Sequence, residues 1–400
     1  MPSSTIKYSL IMLVTKNFIY DKNRNTLFKI PTIAMNINRS NPYIKKDKTW
    51  LIQFIILHGI FTLVFVLIIY NIIFYDLKIN DFSQTCKNGV LSVVYMVVTY
   101  QYCILLYHRR GLIELIEDIK KDFELSRNLP IKDQQIMSDY SKRGVWVCKQ
   151  WLMISCCGFS IFVFKNLVLF AYYYYIGDPR LVPLYELSYP DVIEGNKDKI
   201  PYFCLTYALL LFYDFSSAVM YVAFVPLGPI FMLHACGQLE LVRRRISNIF
   251  DERDDEAIWM KIRSVIQQLQ YIYSFVERIK TCFKVTYELT LKATTIILPI
   301  TCYEVIESFK RGEISLEFLT FIFGGTLISS SPCFYSDLLM EKGNDVRLAV
   351  YSCGWERRFN ERTRSTLRVM LLRAQRPIAI RTMFRTVCLD ALTDVSIVLE

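Results

Sequence analysis

An all-α integral membrane protein, with seven transmembrane helices, a cytoplasmic N-terminus and a cytoplasmic helical anchor bundle, is the fold class this sequence predicts. Three observations predict it. Apolar residues make up 53 % of the 400 and charged residues only 21 %, where a soluble domain carries roughly one quarter charged residues. The apolar residues are gathered into blocks long enough to cross a hydrocarbon core, which takes roughly 20 residues of helix. The lysines and arginines fall between those blocks, in alternating high and low numbers.

Residues 1–49 form a cytoplasmic N-terminal segment. Its apolar stretch "SLIMLV" (9–14) is shorter than a signal-peptide core, and "TKNFIYDKNRN" follows it without a small-residue cleavage site. The first span therefore acts as the insertion signal. Spans are predicted at 51–75, 89–107, 151–176, 202–233, 285–306 and 318–338, with a seventh at 378–400.

The tail to residue 49 carries nine lysines and arginines, the first connection two, 109–143 eight, and the next connection three against five acids. The segment 234–284 has nine, the connection after it two, and 339–374 eight. By the positive-inside rule the N-terminus and the connections after spans two, four and six are cytoplasmic.

The cytoplasmic connections are themselves predicted helical. "GLIELIEDIKKDFEL" sets Leu112, Ile113, Ile116 and Ile119 at helical spacing with charges opposite, and "IWMKIRSVIQQLQYIYSFVERIKTCF" keeps that period until it merges with span five. The fourth block runs on into "HACGQLELVRRRISNIF". Unbroken, a helix over 201–250 would reach about 75 Å, and Pro226 and Pro229 are expected to kink it. Spans two, four and five thus extend into a shared bundle, with 234–284 and 339–375 as its anchor helices. The chain, 1–400, reads as a single membrane domain.

Ionisable side chains inside a bilayer are costly and face protein or water. Glu288 and Lys292, four residues apart in the favourable order, read as a structural ion pair. Asp214 in "LFYDFSSAV" either packs against a polar neighbour or lines a cavity, and Lys165 either snorkels or sits near a pocket. Nothing forms a catalytic set. His58, His108 and His234 lie on separate blocks without HExxH spacing, there is no Gly-rich phosphate loop, and Ser329, Ser330 and Ser331 before Pro332 loosen a helix rather than supply a nucleophile. No enzyme activity, metal site or cofactor is expected. The net charge of +10 does not point to nucleic acid, because the basic residues sit between the blocks. The 12 cysteines contain no CxxC and read as small buried hydrophobes, with a bridge conceivable only among Cys86, Cys204 and Cys302.

Aromatic residues concentrate in the outer halves of the spans: Tyr95, Phe162, Phe170, Tyr173, Tyr207, Phe212 and Phe321. Near span ends such residues form an interfacial belt; one or two turns deeper they wall an apolar pocket for a small volatile ligand. These seven are the candidate pocket residues, and both readings stand at this level.

Two motifs carry a resemblance. "HACGQLELVRRRI" (234–246), with His234, Cys236, Gly237 and Gln238, and "DVRLAVYSCGW…TLRVMLLRAQRPIAIRTMF" (345–384), with Arg373, Gln375, Arg376 and Pro377, resemble the insect odorant receptor family, as does the inverted seven-span layout over the whole chain. The resemblance implies an odorant-gated, non-selective cation channel subunit in the membrane of a sensory neuron. It implies a tetramer with a shared odorant co-receptor, with copies of itself, or with both, anchored by the cytoplasmic helices around a pore made by four seventh helices. The co-receptor has a much longer connection after span four, so this chain resembles a tuning, ligand-binding subunit. The odorant site is then expected in the outer half of spans two, three, four and six.

Pro377 has no N–H to give and breaks the helix expected over 351–375. Arg381 and Arg385 then share one edge of the next helix, and Asp390 and Asp394 nearly the opposite one. Such a helix is expected against neighbouring subunits and a water-filled conduit; a basic tail on anionic lipid is the competing reading. Family members run on with a Tyr-rich apolar finish. Val395-Ser396 is what the common splice-donor hexamer encodes, so "VSIVLE" is expected to be unspliced intron, which sequencing of transcripts across Asp394 tests.

A G-protein-coupled chemoreceptor is the reading from another class. It requires the reverse topology, and glycan on the sequon Asn38-Arg39-Ser40 would favour it. No Asp-Arg-Tyr closes span three and no Asn-Pro-x-x-Tyr ends the chain. A transporter would show inverted repeats, and none is evident. A gustatory-type channel shares the architecture, but the "QRP" turn favours the odorant type.

Overall fold

The structure, a computed structural model, describes residues 26–79, 82–177, 180–185, 187–189, 191–197, 199–252, 254–312, 315–357, 360–382 and 386–390. Helix α1 (Lys29–Ile37) lies against the later helix Ile200–Phe224. Helix α2 (Lys48–Asn71) starts where the Asp47 carboxylate accepts the Trp50 N–H at 2.8 Å, a side-chain cap on an otherwise orphan donor. It closes in a π-helical turn, Ile72–Asp76.

Helix α3 (Phe82–Tyr107) hands over at His108 to α4 (Arg109–Ser126), whose buried stripe is Leu112, Leu115, Ile116, Ile119 and Phe123. Helix α5 (Ile131–Ile176) ends at Gly177, where φ is +85°, a left-handed stop that favours glycine. The chain then forms α6 (Ile200–Phe224), α7 (Leu227–Ser247), α8 (Asp255–Lys310), α9 (Leu316–Tyr351) and α10 (Glu361–Ala374). Asp254 caps α8 through the Ala257 N–H and Asn360 caps α10 through the Thr363 N–H.

Among the described residues, six helical stretches are long and apolar enough to cross a membrane: Lys48–Asp76, Phe82–Tyr107, Ile131–Ile176, Ile200–Asp251, Asp255–Lys310 and Leu316–Tyr351. They are not equivalent. In Ile200–Asp251, 83 % of the apolar window is buried in the bundle, against 11 % in Ile131–Ile176. A helix apolar all round belongs in an interior or a membrane, and α7 takes the interior: every residue from Leu227 to Leu239 is buried. It packs on α5, α8 and α9. Gly228 permits the closest approach, because a Cβ there would stand 1.7 Å from the Tyr287 hydroxyl of α8.

Several expectations are corrected. The fourth block does break, but at Val225 and Pro226, and Pro229 sits undisturbed in the first turn of α7, where a missing N–H costs nothing. Length beyond what a crossing needs is not confined to spans two, four and five. Helix α5 has 46 residues and α9 has 36, about 69 and 54 Å at the helical rise. The helix expected over 351–375 begins only at Glu361, after Gly354 turns the chain at φ +89°.

The last span is the largest correction. Residues 377–382 are extended rather than helical, Arg381 bridges Thr386, and the Val387 N–H donates to the Ile380 carbonyl at 2.9 Å. Among the described residues that follow, Leu389 and Asp390 are helical, and the Leu389 N–H donates to Asp337 Oδ2 at 2.9 Å. The local sequence explains this: Ile378 and Ile380 alternate with period two and are both buried, a strand-like pattern of β-branched residues. Arg385, Asp394 and the rest of the expected span beyond Asp390 lie outside the described residues.

Candidate ligand cavity and polar hub

A cavity of about 560 Å³ opens between α3, α5, α6, α8 and α9. Small residues make the room: Gly158 on α5, Ser217 and Ala218 on α6, Ala293 on α8, and Gly324 and Gly325 on α9 all line it. No protein atom lies within 4 Å of where a Cβ would stand on Gly158 or Gly324. Aromatic rings supply much of the remaining wall. Phe162 of α5 packs edge-on against Tyr185 with centroids 5.8 Å apart, and against Phe321 of α9 at 6.0 Å.

Polar groups on the wall are few, and most are already engaged. The Tyr185 hydroxyl donates to Asp214 Oδ1 at 2.5 Å, and the Tyr213 hydroxyl to the Leu91 carbonyl at 2.7 Å. Thr290, Thr294 and Thr320 return their hydroxyls to carbonyls one turn earlier in their own helices. Asp214 therefore lines a cavity, which decides between its two readings. A second, more polar cavity of about 60 Å³ shares Leu91, Phe162, Tyr185 and Phe321 with the first. There Lys165 Nζ lies 2.5 Å from Glu317 Oε1, and Lys87 Nζ 3.7 Å from Oε2, so Lys165 stands beside a pocket. Glu288 and Lys292 form their pair at 3.1 Å.

Of the seven aromatic residues singled out from the sequence, Phe162 and Phe321 line the large cavity. Tyr95 instead stacks on Phe65 at 4.1 Å and shares a hydrogen bond with Thr62, tying α3 to α2. Phe170 is exposed on the flank of α5, Tyr173 lies 5.8 Å from the Arg180 guanidinium, and Tyr207 stacks on Phe203. Phe212 is half-buried against the core. Trp151, Phe159, Tyr185, Tyr213 and Tyr221 were missed. Tyr185 sits in a connection, where no periodicity marks it, and the others were masked by spans apolar on every face. All 12 cysteines are free thiols, so Cys86, Cys204 and Cys302 form no bridge.

At the end of the bundle bearing the lysine- and arginine-rich connections, the "HACGQ" motif builds a polar hub. Asp122 Oδ2 of α4 accepts from His234 Nε2 at 2.8 Å, Gln238 Nε2 at 3.1 Å and the Tyr271 hydroxyl at 3.0 Å. A carboxylate only accepts, so His234 carries its proton on Nε2 toward Asp122. Gln268 extends the chain from Gln238 to Arg245, Arg244 pairs with Asp133, and Arg278 pairs with Asp118. Burial pushes the Asp118 carboxyl up from its ordinary value, against the pull of the Arg278 guanidinium. Cys236 is buried and Gly237 faces the Tyr140 ring. Arg373 lies 4.2 Å over the Tyr273 ring, while Gln375, Arg376 and Pro377 are exposed at the turn, as is Arg381 beyond it.

Long apolar helices around a partly open, mostly apolar cavity define a multi-pass membrane protein. The chain belongs to the seven-transmembrane (7tm) odorant receptor family, whose model matches residues 81–396. Its fold is similar to that of the insect olfactory receptor OR5 from Machilis hrabei. In complex with eugenol, that receptor superposes with a TM-score of 0.77 at 14 % identity, over 95 % of this chain and 97 % of that one. A second structure of the same receptor superposes with a TM-score of 0.73 at 16 % identity, with the same coverage. No curated protein matches the chain.

Proposed function

We propose that this odorant receptor is the tuning subunit of an odorant-gated, non-selective cation channel, and that a small volatile ligand binds in the cavity between α3, α5, α6, α8 and α9. The observation that carries the reading is the cavity itself. Its volume of about 560 Å³ lies within the range of small-molecule sites, and its wall is apolar and aromatic with few polar groups. The relative from Machilis hrabei was solved with eugenol, a ligand of that size and character.

The remaining parts of the reading rest on the sequence. Alternating lysine and arginine counts favour a cytoplasmic N-terminus, which sets the hub around Asp122 in the cytosol as part of an anchor between subunits. The partners are an odorant co-receptor, further copies of this chain, or both, in a tetramer. Arg381, Arg385, Asp390 and Asp394 would then belong to the pore-proximal end of the chain.

Co-expression with a co-receptor and recording of odour-evoked cation current across a panel of volatiles tests this. Gly158→Phe and Gly324→Phe meet no protein atom at the Cβ and fill part of the cavity, so each should abolish or strongly right-shift the response while surface expression persists. A surface-expressed pair that stays silent to every volatile, or fillers that leave the response untouched, would refute it.

A further inference from the structure

The cavity wall has one feature that an apolar ligand does not use. Asp214 Oδ1 takes the Tyr185 hydroxyl, but Oδ2 is buried and meets no protein donor. No ion pair reaches Asp214 among the described residues. One turn further along α6, the Ser217 hydroxyl is also buried and also without a partner, although a helical serine has carbonyls three and four residues earlier within reach. Both residues line the cavity. At spacing i and i+3 their Cβ atoms lie about 5–6 Å apart on one helix face. A buried polar atom without a partner is costly and therefore uncommon, and two adjacent ones facing a ligand cavity are explained together by a ligand group that serves both.

We infer that Asp214 and Ser217 select ligands bearing a hydroxyl: a small alcohol or phenol whose O–H donates to Asp214 Oδ2 while its oxygen accepts from the Ser217 hydroxyl. The match is specific to that group. A carbonyl or ether oxygen serves Ser217 and leaves the carboxylate unpaired, and a hydrocarbon serves neither. An ammonium serves Asp214 but offers Ser217 no acceptor. Tyr185, by holding Oδ1, fixes the carboxyl so that Oδ2 is the oxygen left to the ligand. The inference rests on the cavity being the ligand site, and it adds the class of ligand.

Matched triplets test it: an aromatic alcohol or phenol, its O-methyl ether and its deoxy analogue. Binding is read as the shift in melting temperature of the full chain in lipid nanodiscs, and gating as current in cells with the co-receptor. The wild type should favour the hydroxyl compound by roughly twofold to tenfold, the usual worth of one hydrogen bond. Asp214→Leu should erase the preference over the ether and Asp214→Asn should reduce it, with binding of the ether unchanged, while Ser217→Ala should weaken the hydroxyl compound and the ether together and so reduce the preference over the deoxy analogue. If Asp214→Leu does not fold, the two milder variants carry the test. Ligands that bind without regard to the hydroxyl, or a preference that survives all three substitutions, overturn this inference and leave the cavity reading standing. Triplets that neither stabilise the protein nor evoke current overturn the cavity reading, and this inference with it.

Discussion

Replacing Asp122 by alanine removes the acceptor at the centre of the polar hub. Three donors lose it at once: His234 Nε2, Gln238 Nε2 and the Tyr271 hydroxyl. The His234 side chain is 3 % exposed and Asp122 10 %, so water does not readily replace the carboxylate. A stranded buried donor costs about 1–3 kcal/mol. Taking His234 in full, and Gln238 and Tyr271 near the lower end because their side chains can turn, gives about 3–5 kcal/mol. At about 2–4 °C per kcal/mol for a large domain, melting should fall by roughly 6–20 °C.

A thiol-reactive dye on the detergent-solubilised full chain suits the measurement, because Cys148, Cys236 and Cys282 are buried and free and become reactive as the bundle opens. Asp122→Asn keeps one acceptor oxygen and should cost about half as much. An Asp122→Ala variant that melts within a degree or two of wild type would refute the hub as a stabilising element. An Asn variant as damaged as the Ala one would show that charge, not acceptor count, is what matters.

Two further outcomes follow from the packing. Gly228→Ala places a methyl against the Tyr287 ring and should destabilise by about 1–3 kcal/mol through overpacking. Adding Tyr287→Leu should recover part of that loss in the same melting assay, and an additive double mutant would show that the two residues do not meet. Glu317→Gln removes the charge shared by Lys87 and Lys165, whose side chains are 30 % and 37 % exposed. The expected loss is therefore about 1 kcal/mol or less, shrinking in high salt, and a large salt-independent drop would count against an ion-pair role.

The sequence by itself determined where the chain can cross a bilayer, because burying some twenty residues in hydrocarbon needs only local composition. Each of the six apolar blocks lies within one of the six long helical stretches among the described residues, and local chemistry placed the break at Pro226 and the Glu288–Lys292 pair. Local chemistry also ended a helix before Pro377, yet the chain beyond it is extended where a helix was expected. The period-two burial of Ile378 and Ile380 was visible in the residues but outweighed by overall hydropathy.

Only the tertiary structure decided which way each span is rotated about its own axis. A helix flanked by lipid is apolar on its protein face and its lipid face alike, so composition does not distinguish Phe162, which faces the cavity, from Phe170 two turns on, which does not. The hub was hidden for a different reason. Asp122 meets His234 across 112 residues of chain, and a hydrogen bond between distant segments leaves no period or spacing in either.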